Sequence, residues 1–286
     1  MAAGPGSSDA PDEPAAPNPP PVPVYFVAEQ TGISAEAMGN ALLVQFPDIR
    51  FERHRIPFIT SIAEARKAVE ILDAAMKGPR IPLVFTTIAD DTISGVLRSS
   101  RAPIIDFVSS HLGQLERILG SRALHLAVRV HGVDDQARYD RRMQAVEYAI
   151  EHDDGESLRH YDDADIVLLA PSRCGKTPTT MYLALQHSVF VANYPLVPED
   201  LETIDLPDPV RKLRTRCFGI LTTPERLSQV RNERRPDSTY SSIEQCRWEL
   251  KRAEIMFRAH RIPTVNSSAK SVEEMSTVIL QHLNTA

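Results

Sequence analysis

The chain has 286 residues, and its 32 lysines and arginines against 38 aspartates and glutamates give a formal net charge of −6 at pH 7. This acidic balance argues against a protein that binds nucleic acid or an anionic membrane through a basic surface. No apolar run approaches the roughly 20 residues of a membrane-spanning helix. The three cysteines are too few for a disulfide framework, so we expect a cytoplasmic protein with no membrane or nucleic-acid partner.

The N-terminal segment, residues 1–23, contains eight prolines and neither lysine nor arginine. A segment of this composition cannot bury enough apolar surface to fold, so it is predicted to be a disordered, proline-rich tail. It also lacks the features of a secretory signal or a transit peptide. We predict two domains after the tail, an N-terminal α/β domain over 24–135 and a C-terminal phosphate-loop kinase-like domain over 136–286.

From residue 22 onward, apolar runs of strand length alternate with stretches of helical period. This pattern is typical of an α/β protein with mostly parallel sheets and flanking helices. The predicted strands of the N-terminal domain are Val24–Ala28, Pro82–Ile88 and Leu124–Val130. The predicted helices there are Ala35–Phe46 with Ser34 as its N-cap, a helix opened by the capping box Ser61–Glu64, and Ile104–Leu119.

The C-terminal domain has clearer sequence signals for the ends of its strands and helices. Its predicted strands are Ile166–Leu169, Ser188–Asn193 and Cys217–Leu221. Its predicted helices are Pro178–His187, one opened by Thr223 and Pro224, one carrying the apolar stripe Ile243, Cys246, Leu250, Ala253 and Phe257, and a last one opened by the capping box Ser271–Glu274.

The sharpest chemical signal is Ser-Arg-Cys-Gly-Lys-Thr at 172–177, between a predicted strand and a predicted helix. Successive backbone N–H groups and the positive end of a helix bind the phosphates of a nucleotide in such a loop. Lys176 is expected to contact the β- or γ-phosphate and Thr177 to bind Mg²⁺. The phosphate-loop pattern has glycine where this chain has Ala170, and Pro171 lacks an N–H. The alternative is a surface Gly-Lys-Thr at a helix start.

Phosphoryl transfer also needs a carboxylate that holds Mg²⁺ or accepts a proton. One candidate pair is Asp153 and Asp154. The other pair is Asp90 and Asp91, where a strand that ends in Asp resembles a Walker B element. A solvated acidic turn is the alternative for both pairs. The basic residues that could bind phosphate, or line a solvated helix face, are Arg211, Lys212, Arg214, Arg216, Arg231, Arg234 and Arg235.

Several separate stretches together resemble one known family. They are Asp165–Thr179, Ala192–Pro198, His152–Gly155, Leu221–Leu227, Arg231–Arg235 and Ile262–Ser267, with Thr31–Glu36 and Gln45–Pro47 nearer the N-terminus. The sequence is similar to the bacterial phosphoenolpyruvate synthase regulatory proteins, relatives of the plant pyruvate, phosphate dikinase regulatory proteins. The resemblance covers nearly everything after the tail.

The resemblance implies a bifunctional enzyme that acts on phosphoenolpyruvate synthase (pyruvate, water dikinase). One activity is an ADP-dependent serine/threonine protein kinase, which inactivates the synthase by phosphorylating a threonine when the neighbouring catalytic histidine carries a phosphate. The other is a pyrophosphorylase, which uses inorganic phosphate to remove that group and releases pyrophosphate. The nucleotide-binding residues it implies are Ala170, Pro171, Ser172, Arg173, Cys174, Gly175, Lys176 and Thr177.

Lys176, Asp153 and Asp154 are thus the expected catalytic residues, and Thr177 is the expected Mg²⁺ ligand. The chain departs from the family where Ala170 and Pro171 replace Gly-Val, and where Ala28–Gln30 replaces Ser-Asp-Gly. Two other functions stay open, a small-molecule kinase with the same loop and a non-catalytic nucleotide-binding regulator of the same partner. The sequence also leaves the oligomeric state open, with a homo-oligomer among the alternatives.

Overall fold

The computed structural model describes residues 19–125, 136–153 and 160–285. The chain divides into two compact units, residues 1–132 and 133–286. Each unit contains a four-stranded sheet whose neighbouring strands are all parallel, which confirms the predicted α/β class. Residues 1–18 of the predicted tail lie outside the described residues. The first strand begins at Val22, so the last two residues of the predicted tail belong to that strand.

The N-terminal unit alternates strands and helices. Its elements are β1 (Val22–Val27), α1 (Ile33–Leu43), β2 (Phe51–Ile56), α2 (Ile62–Ala75), β3 (Leu83–Thr86), α3 (Asp91–Leu97), β4 (Ile104–Asp106) and α4 (Ser109–Leu119). The strand order is β2-β1-β3-β4. Strand β2 reads Phe-Glu-Arg-His-Arg-Ile and buries none of its residues fully. An edge strand tolerates such charges, and for that reason apolar patterning misses it.

The C-terminal unit repeats this architecture with additional helices. Its elements are α5 (Gln136–Glu151), β5 (Ile166–Pro171), α6 (Lys176–His187), β6 (Val191–Leu196), α7 (Asp208–Arg211), β7 (Cys217–Leu221), α8 (Pro224–Arg234), α9 (Ile243–Ala259), β8 (Thr264–Asn266) and α10 (Val272–Thr285). All six residues of β5 are buried, since Val167 and Leu169 pack into one apolar cluster and Ile166 and Leu168 into another. Helices cover both faces of such a strand.

The two sheets share one strand order, because the second runs β6-β5-β7-β8 with β5 in the place of β1. Parallel α/β sheets bind ligands outside the carboxyl ends of their strands, at the point where the strand order reverses. In both units the helix that follows the first strand begins at a left-handed glycine, Gly32 with φ 80° and Gly175 with φ 101°. The loop between β5 and α6 lies at the reversal point of the C-terminal sheet.

Several predicted helix starts are confirmed. Ser61 caps α2 by accepting the Glu64 N–H, and Thr223 caps α8 by accepting the Arg226 N–H. In the last helix, Ser271 and Glu274 each accept the other's backbone N–H, at 3.2 and 2.8 Å. The predicted strand Cys217–Leu221 is also found with those bounds. The stripe residues Cys246, Leu250, Ala253 and Phe257 are buried on α9.

Other element predictions need correction. The first helix starts one residue before the predicted cap Ser34, because left-handed Gly32 ends the preceding loop. The stretch predicted as a helix over Ile104–Leu119 opens with strand β4, and its helix begins only at Ser109. The turn between them forms because Asp106 accepts the N–H groups of Val108 and Ser109. Most of the predicted strand Leu124–Val130 lies outside the described residues.

Within the described residues, no helix combines the length and apolar character needed to cross a membrane.

Candidate functional site

The loop between β5 and α6, residues 172–175, is built around two left-handed residues. Arg173 has φ 74° and Gly175 has φ 101°, on either side of Cys174. Among the described residues, the N–H groups of Arg173, Cys174 and Gly175 have no hydrogen-bond acceptor. Consecutive unpaired N–H groups in such a bend, followed by a helix N-terminus, attract an anion. We call this segment the anion loop.

A pocket of about 230 Å³ opens over the anion loop. Its lining residues are Ser172, Arg173, Gly175, Lys176, Thr177 and Pro178, with Val230 and Arg234 from α8. Three of these residues are cationic and none is acidic, so the pocket carries a positive potential that suits polyphosphate. Cys174 instead lines a neighbouring pocket of about 170 Å³.

Lys176 is 3% exposed and lies at the base of the anion loop. Its Nζ donates hydrogen bonds to the carbonyl oxygens of Ala170, at 3.1 Å, and of Pro171, at 3.3 Å. Ala170 and Pro171 are buried residues of β5 and do not line the 230 Å³ pocket. Because they contribute only backbone carbonyls, the replacement of Gly-Val by Ala-Pro leaves the lining of that pocket intact.

Thr177 is joined to Asp153 and to Asn193 on β6. Its Oγ1 donates a hydrogen bond to Asp153 Oδ1 at 2.9 Å. Asn193 Nδ2 donates to the same carboxylate oxygen and also lies 3.3 Å from Thr177 Oγ1. Thr177 Oγ1 thus donates its proton to Asp153 and accepts one hydrogen bond from Asn193, which leaves one oxygen lone pair for a cation. Asp154, the other predicted catalytic carboxylate of this pair, lies outside the described residues.

Asp153 is positioned by the residue before it. The His152 ring is fully buried and stacks on Tyr148, with 3.9 Å between the ring centroids. His152 Nδ1 lies 2.8 Å from the Tyr148 carbonyl oxygen, and the His152 carbonyl accepts the Asn193 N–H at 3.0 Å. The end of α5 is therefore tied to β6, which brings Asp153 and Asn193 together.

The alternative carboxylates, Asp90 and Asp91, have other roles. Asp90 follows β3 in the N-terminal sheet, whereas the anion loop leaves β5 in the C-terminal sheet. Asp90 Oδ1 accepts the N–H groups of Thr92 and Ile93, both at 2.9 Å, and so caps α3. Asp91 lies 3.1 Å from His125. The Asp90 carboxylate is therefore the N-cap of α3, and its resemblance to a Walker B element stays a prediction.

Glu29, which stands where the family has Asp, is buried at the end of β1. Its Oε1 accepts the N–H groups of Ala89, at 3.1 Å, and Asp90, at 2.9 Å. The longer side chain thus reaches the connection between β3 and α3. This contact assigns Glu29 a structural role in the N-terminal unit.

Sequence reasoning missed Asn193, which belongs to the resembling stretch Ala192–Pro198 but carries no titratable group. Burial raises the pKa of the Cys174 thiol to about 12, so this cysteine is protonated and unreactive at neutral pH.

Comparison with known proteins covers both units. The model of the kinase/pyrophosphorylase family matches residues 24–280. A protein of Hahella chejuensis named "Putative phosphoenolpyruvate synthase regulatory protein" is 43% identical over 257 residues, which cover 90% of this chain and 94% of that protein. Proteins of the same name from Neisseria meningitidis serogroup B and Laribacter hongkongensis are 43% and 42% identical over 260 residues, 90% of this chain and 95% of theirs. With its cationic pocket and nearly full-length similarity, the chain belongs to the kinase/pyrophosphorylase family.

Proposed function

We propose that this protein regulates phosphoenolpyruvate synthase (pyruvate, water dikinase) as an ADP-dependent serine/threonine protein kinase and a phosphate-dependent pyrophosphorylase. The observation that carries the proposal is the anion loop, whose N–H groups at 173–175 have no acceptor among the described residues. The loop borders a pocket that Lys176 and Thr177 line and that has no acidic lining residue. The family membership and the names of the relatives support the choice of reaction and of protein substrate.

In the inactivating reaction, the diphosphate of ADP occupies the pocket above the anion loop. The hydroxyl oxygen of the target threonine forms a bond to the β-phosphorus, and the bond from that phosphorus to the bridging oxygen breaks, so that AMP leaves. Negative charge grows on the bridging oxygen, where Lys176 and the loop N–H groups stabilise it. The threonine proton passes to a carboxylate, and we assign that role to Asp153, which lies next to Thr177.

In the reactivating reaction, an oxygen of inorganic phosphate forms a bond to the phosphorus of phosphothreonine. The bond from phosphorus to the threonine oxygen breaks, the proton of the attacking hydrogen phosphate passes through Asp153 to that oxygen, and pyrophosphate leaves. Phosphate, pyrophosphate and ADP are all polyanions, which a pocket lined by Arg173, Lys176 and Arg234 is suited to bind.

The residues beside the pocket fit Mg²⁺, which prefers oxygen ligands. Thr177 Oγ1 has its proton directed to Asp153, and the buried Asn193 Oδ1 has no partner among the described residues. Bound Mg²⁺ would be held by Thr177 and would neutralise phosphate charge. Asp153 and Asn193 orient that hydroxyl.

The proposal is tested by mixing the protein with phosphoenolpyruvate synthase that carries phosphohistidine, and adding Mg·ADP. We expect one phosphothreonine on the synthase, mapped by mass spectrometry, together with loss of synthase activity. Added inorganic phosphate should then restore activity and release pyrophosphate. Phosphorylation of a metabolite without labelling of the synthase would favour the small-molecule kinase. Inhibition without any phosphothreonine would favour the non-catalytic regulator.

A further inference from the structure

Arg231 on α8 is the largest fully buried side chain among the described residues. A charged guanidinium without water costs much free energy unless charge and hydrogen bonds compensate it. The arginine does not line the 230 Å³ pocket. Its contacts therefore indicate what it does there.

Arg231 is held by α9 and by the turn before that helix. Its Nη2 lies 2.6 Å from Glu249 Oε2, and both side chains are at most 5% exposed. Its Nη1 donates to the Tyr240 carbonyl oxygen at 3.1 Å. The guanidinium also lies over the Tyr240 ring, 4.2 Å from the centroid, in a cation–π contact. These contacts satisfy the charge and fix the plane of the guanidinium.

The remaining donors of Arg231 point at the first residue of the anion loop. Nε and Nη2 donate to the Ser172 carbonyl oxygen, at 3.3 and 3.1 Å. The Tyr240 hydroxyl donates to Ser172 Oγ at 3.0 Å. Buried Arg231 and half-buried Tyr240 thus hold the backbone and the side chain of Ser172.

A fixed Ser172 carbonyl also fixes the direction of the next N–H. In a planar trans peptide the C=O and N–H groups point in opposite directions. The Arg173 N–H shares its peptide with the Ser172 carbonyl and must therefore point away from Arg231. The Cys174 carbonyl accepts the Ser267 hydroxyl at 2.9 Å, which orients the Gly175 N–H in the same way.

We propose that Arg231, held by Glu249 and Tyr240, is a positioning residue that orients the anion loop for phosphate binding. The inference rests on the proposed function, since it concerns the same pocket. It explains why a charged residue is buried against the anion loop although it does not line the phosphate-binding pocket. It also gives Arg231, one of the basic residues at 231–235, a role other than that of a residue on a solvated helix face.

The test is Arg231→Lys, with Arg258→Lys as the matched control on the exposed surface of α9. Lysine keeps the positive charge but lacks the planar fork that reaches Ser172, Tyr240 and Glu249 together. Calorimetric titration with Mg·ADP should show at least about tenfold weaker binding for Arg231→Lys, as expected when one or two hydrogen bonds that order the loop are lost. The control should bind like the wild type. Unchanged affinity in folded Arg231→Lys overturns the inference.

A second measurement reports the loop directly. Iodoacetamide labelling, mapped by mass spectrometry, should modify Cys174 faster in Arg231→Lys than in the wild type. Cys217, buried in a different apolar cluster, should stay protected. Equal increases at both cysteines would indicate general destabilisation and overturn the inference. Should wild-type protein bind no Mg·ADP, the proposed function fails, while the ratio of the two labelling rates still decides whether Arg231 holds the loop.

The variant Tyr240→Phe keeps the ring under the guanidinium and removes only the hydroxyl bond to Ser172. Where Arg231→Lys does not fold, this variant tests whether the contacts that hold Ser172 order the anion loop. We expect roughly threefold weaker Mg·ADP binding and faster labelling of Cys174, because one neutral hydrogen bond is lost. Wild-type behaviour in both measurements would count against the inference.

Discussion

Asp153 Oδ1 accepts a hydrogen bond from the Thr177 hydroxyl, 2.9 Å from Oγ1, which links the segment after α5 to the first turn of α6. The two residues are separated by a strand and by the anion loop. Their contact gives the cationic pocket an acidic neighbour that lies outside its lining. The predictions below follow from this pair and from the residues that support it.

Lys176→Ala should lower the rate constants of phosphorylation and of dephosphorylation by about 100-fold or more. The substitution removes the ammonium that would stabilise charge on the transferred phosphoryl group. Single-turnover assays on labelled synthase measure both rates. Lys251→Ala, at an exposed lysine on α9 in the same unit, serves as the control and should leave the rates unchanged. Full activity of Lys176→Ala in both directions would refute the proposed site.

Asn193→Leu should raise the Mg²⁺ concentration needed for half-maximal ADP binding by roughly threefold to tenfold. Leucine has a similar volume but cannot donate to Asp153 and Thr177, so the hydroxyl is held less firmly. Binding titrations at several Mg²⁺ concentrations measure the effect. The free energy of unfolding should change little, because the loss of the two Nδ2 hydrogen bonds is offset by removal of the buried Oδ1, which has no partner among the described residues. Identical Mg²⁺ titration curves for the wild type and Asn193→Leu would contradict this role.

Asn193→Asp should lower the rate constant of phosphorylation more than Asn193→Leu does. The substitution replaces the amide that donates to Asp153 with a second carboxylate, and the two carboxylates repel each other. Single-turnover assays of the two variants measure the difference. Equal rate constants would show that the added charge does not reach Asp153.

The free energy of unfolding should fall as pH rises above about 9, in part because of Cys174. Burial raises the pKa of its thiol from 9.0 to about 12 in the folded protein. Between these values the unfolded chain loses the proton while the folded protein keeps it, so alkaline pH favours unfolding, by at most about 1.4 kcal/mol per pH unit for one thiol. Urea titrations at pH 8 and 10.5 should show a smaller fall for Cys174→Ala. An equal fall in both proteins would mean that the thiol does not contribute.

Glu29→Asp should lower the free energy of unfolding by about 1–3 kcal/mol, although it restores the residue of the family pattern. The shorter carboxylate withdraws from the buried N–H groups of Ala89 and Asp90. Glu29→Gln keeps an acceptor at the same distance and should be destabilised less. Affinity for Mg·ADP should stay at the wild-type value in both variants, as titration calorimetry would check. A large loss of affinity without a loss of stability would give Glu29 a functional role instead.

The sequence alone predicts the apolar centre of this fold well and its edges poorly. Strand β5 is apolar at every position because both its faces are covered, whereas β2 is charged because it lies at an edge. The capping boxes are visible because they are local. The pairing of Arg231 with Glu249 is not visible, because it depends on how α8 packs against α9.

The candidate site follows the same division. Its phosphate-binding segment is contiguous, so Gly175, Lys176 and Thr177 can be identified by their spacing. Asp153 can be proposed only as a member of one of two acidic pairs, since its contact with Thr177 is visible only in the folded chain. Asn193 carries no charge and lies on a neighbouring strand, so only the fold brings it to the site.

The two sheets share one strand order, but the charges at their corresponding crevices differ. In the N-terminal sheet, the carboxylate of Glu29 follows β1 and already occupies the amides that follow β3. An incoming phosphate would meet a like charge there and find those amides taken. At the corresponding place in the C-terminal sheet, the residues that follow β5 supply a guanidinium and an ammonium, Arg173 and Lys176, instead of an acid. Of two crevices formed by the same strand order, one is already filled by a carboxyl group of the chain and the other is left to accept an anion from solution.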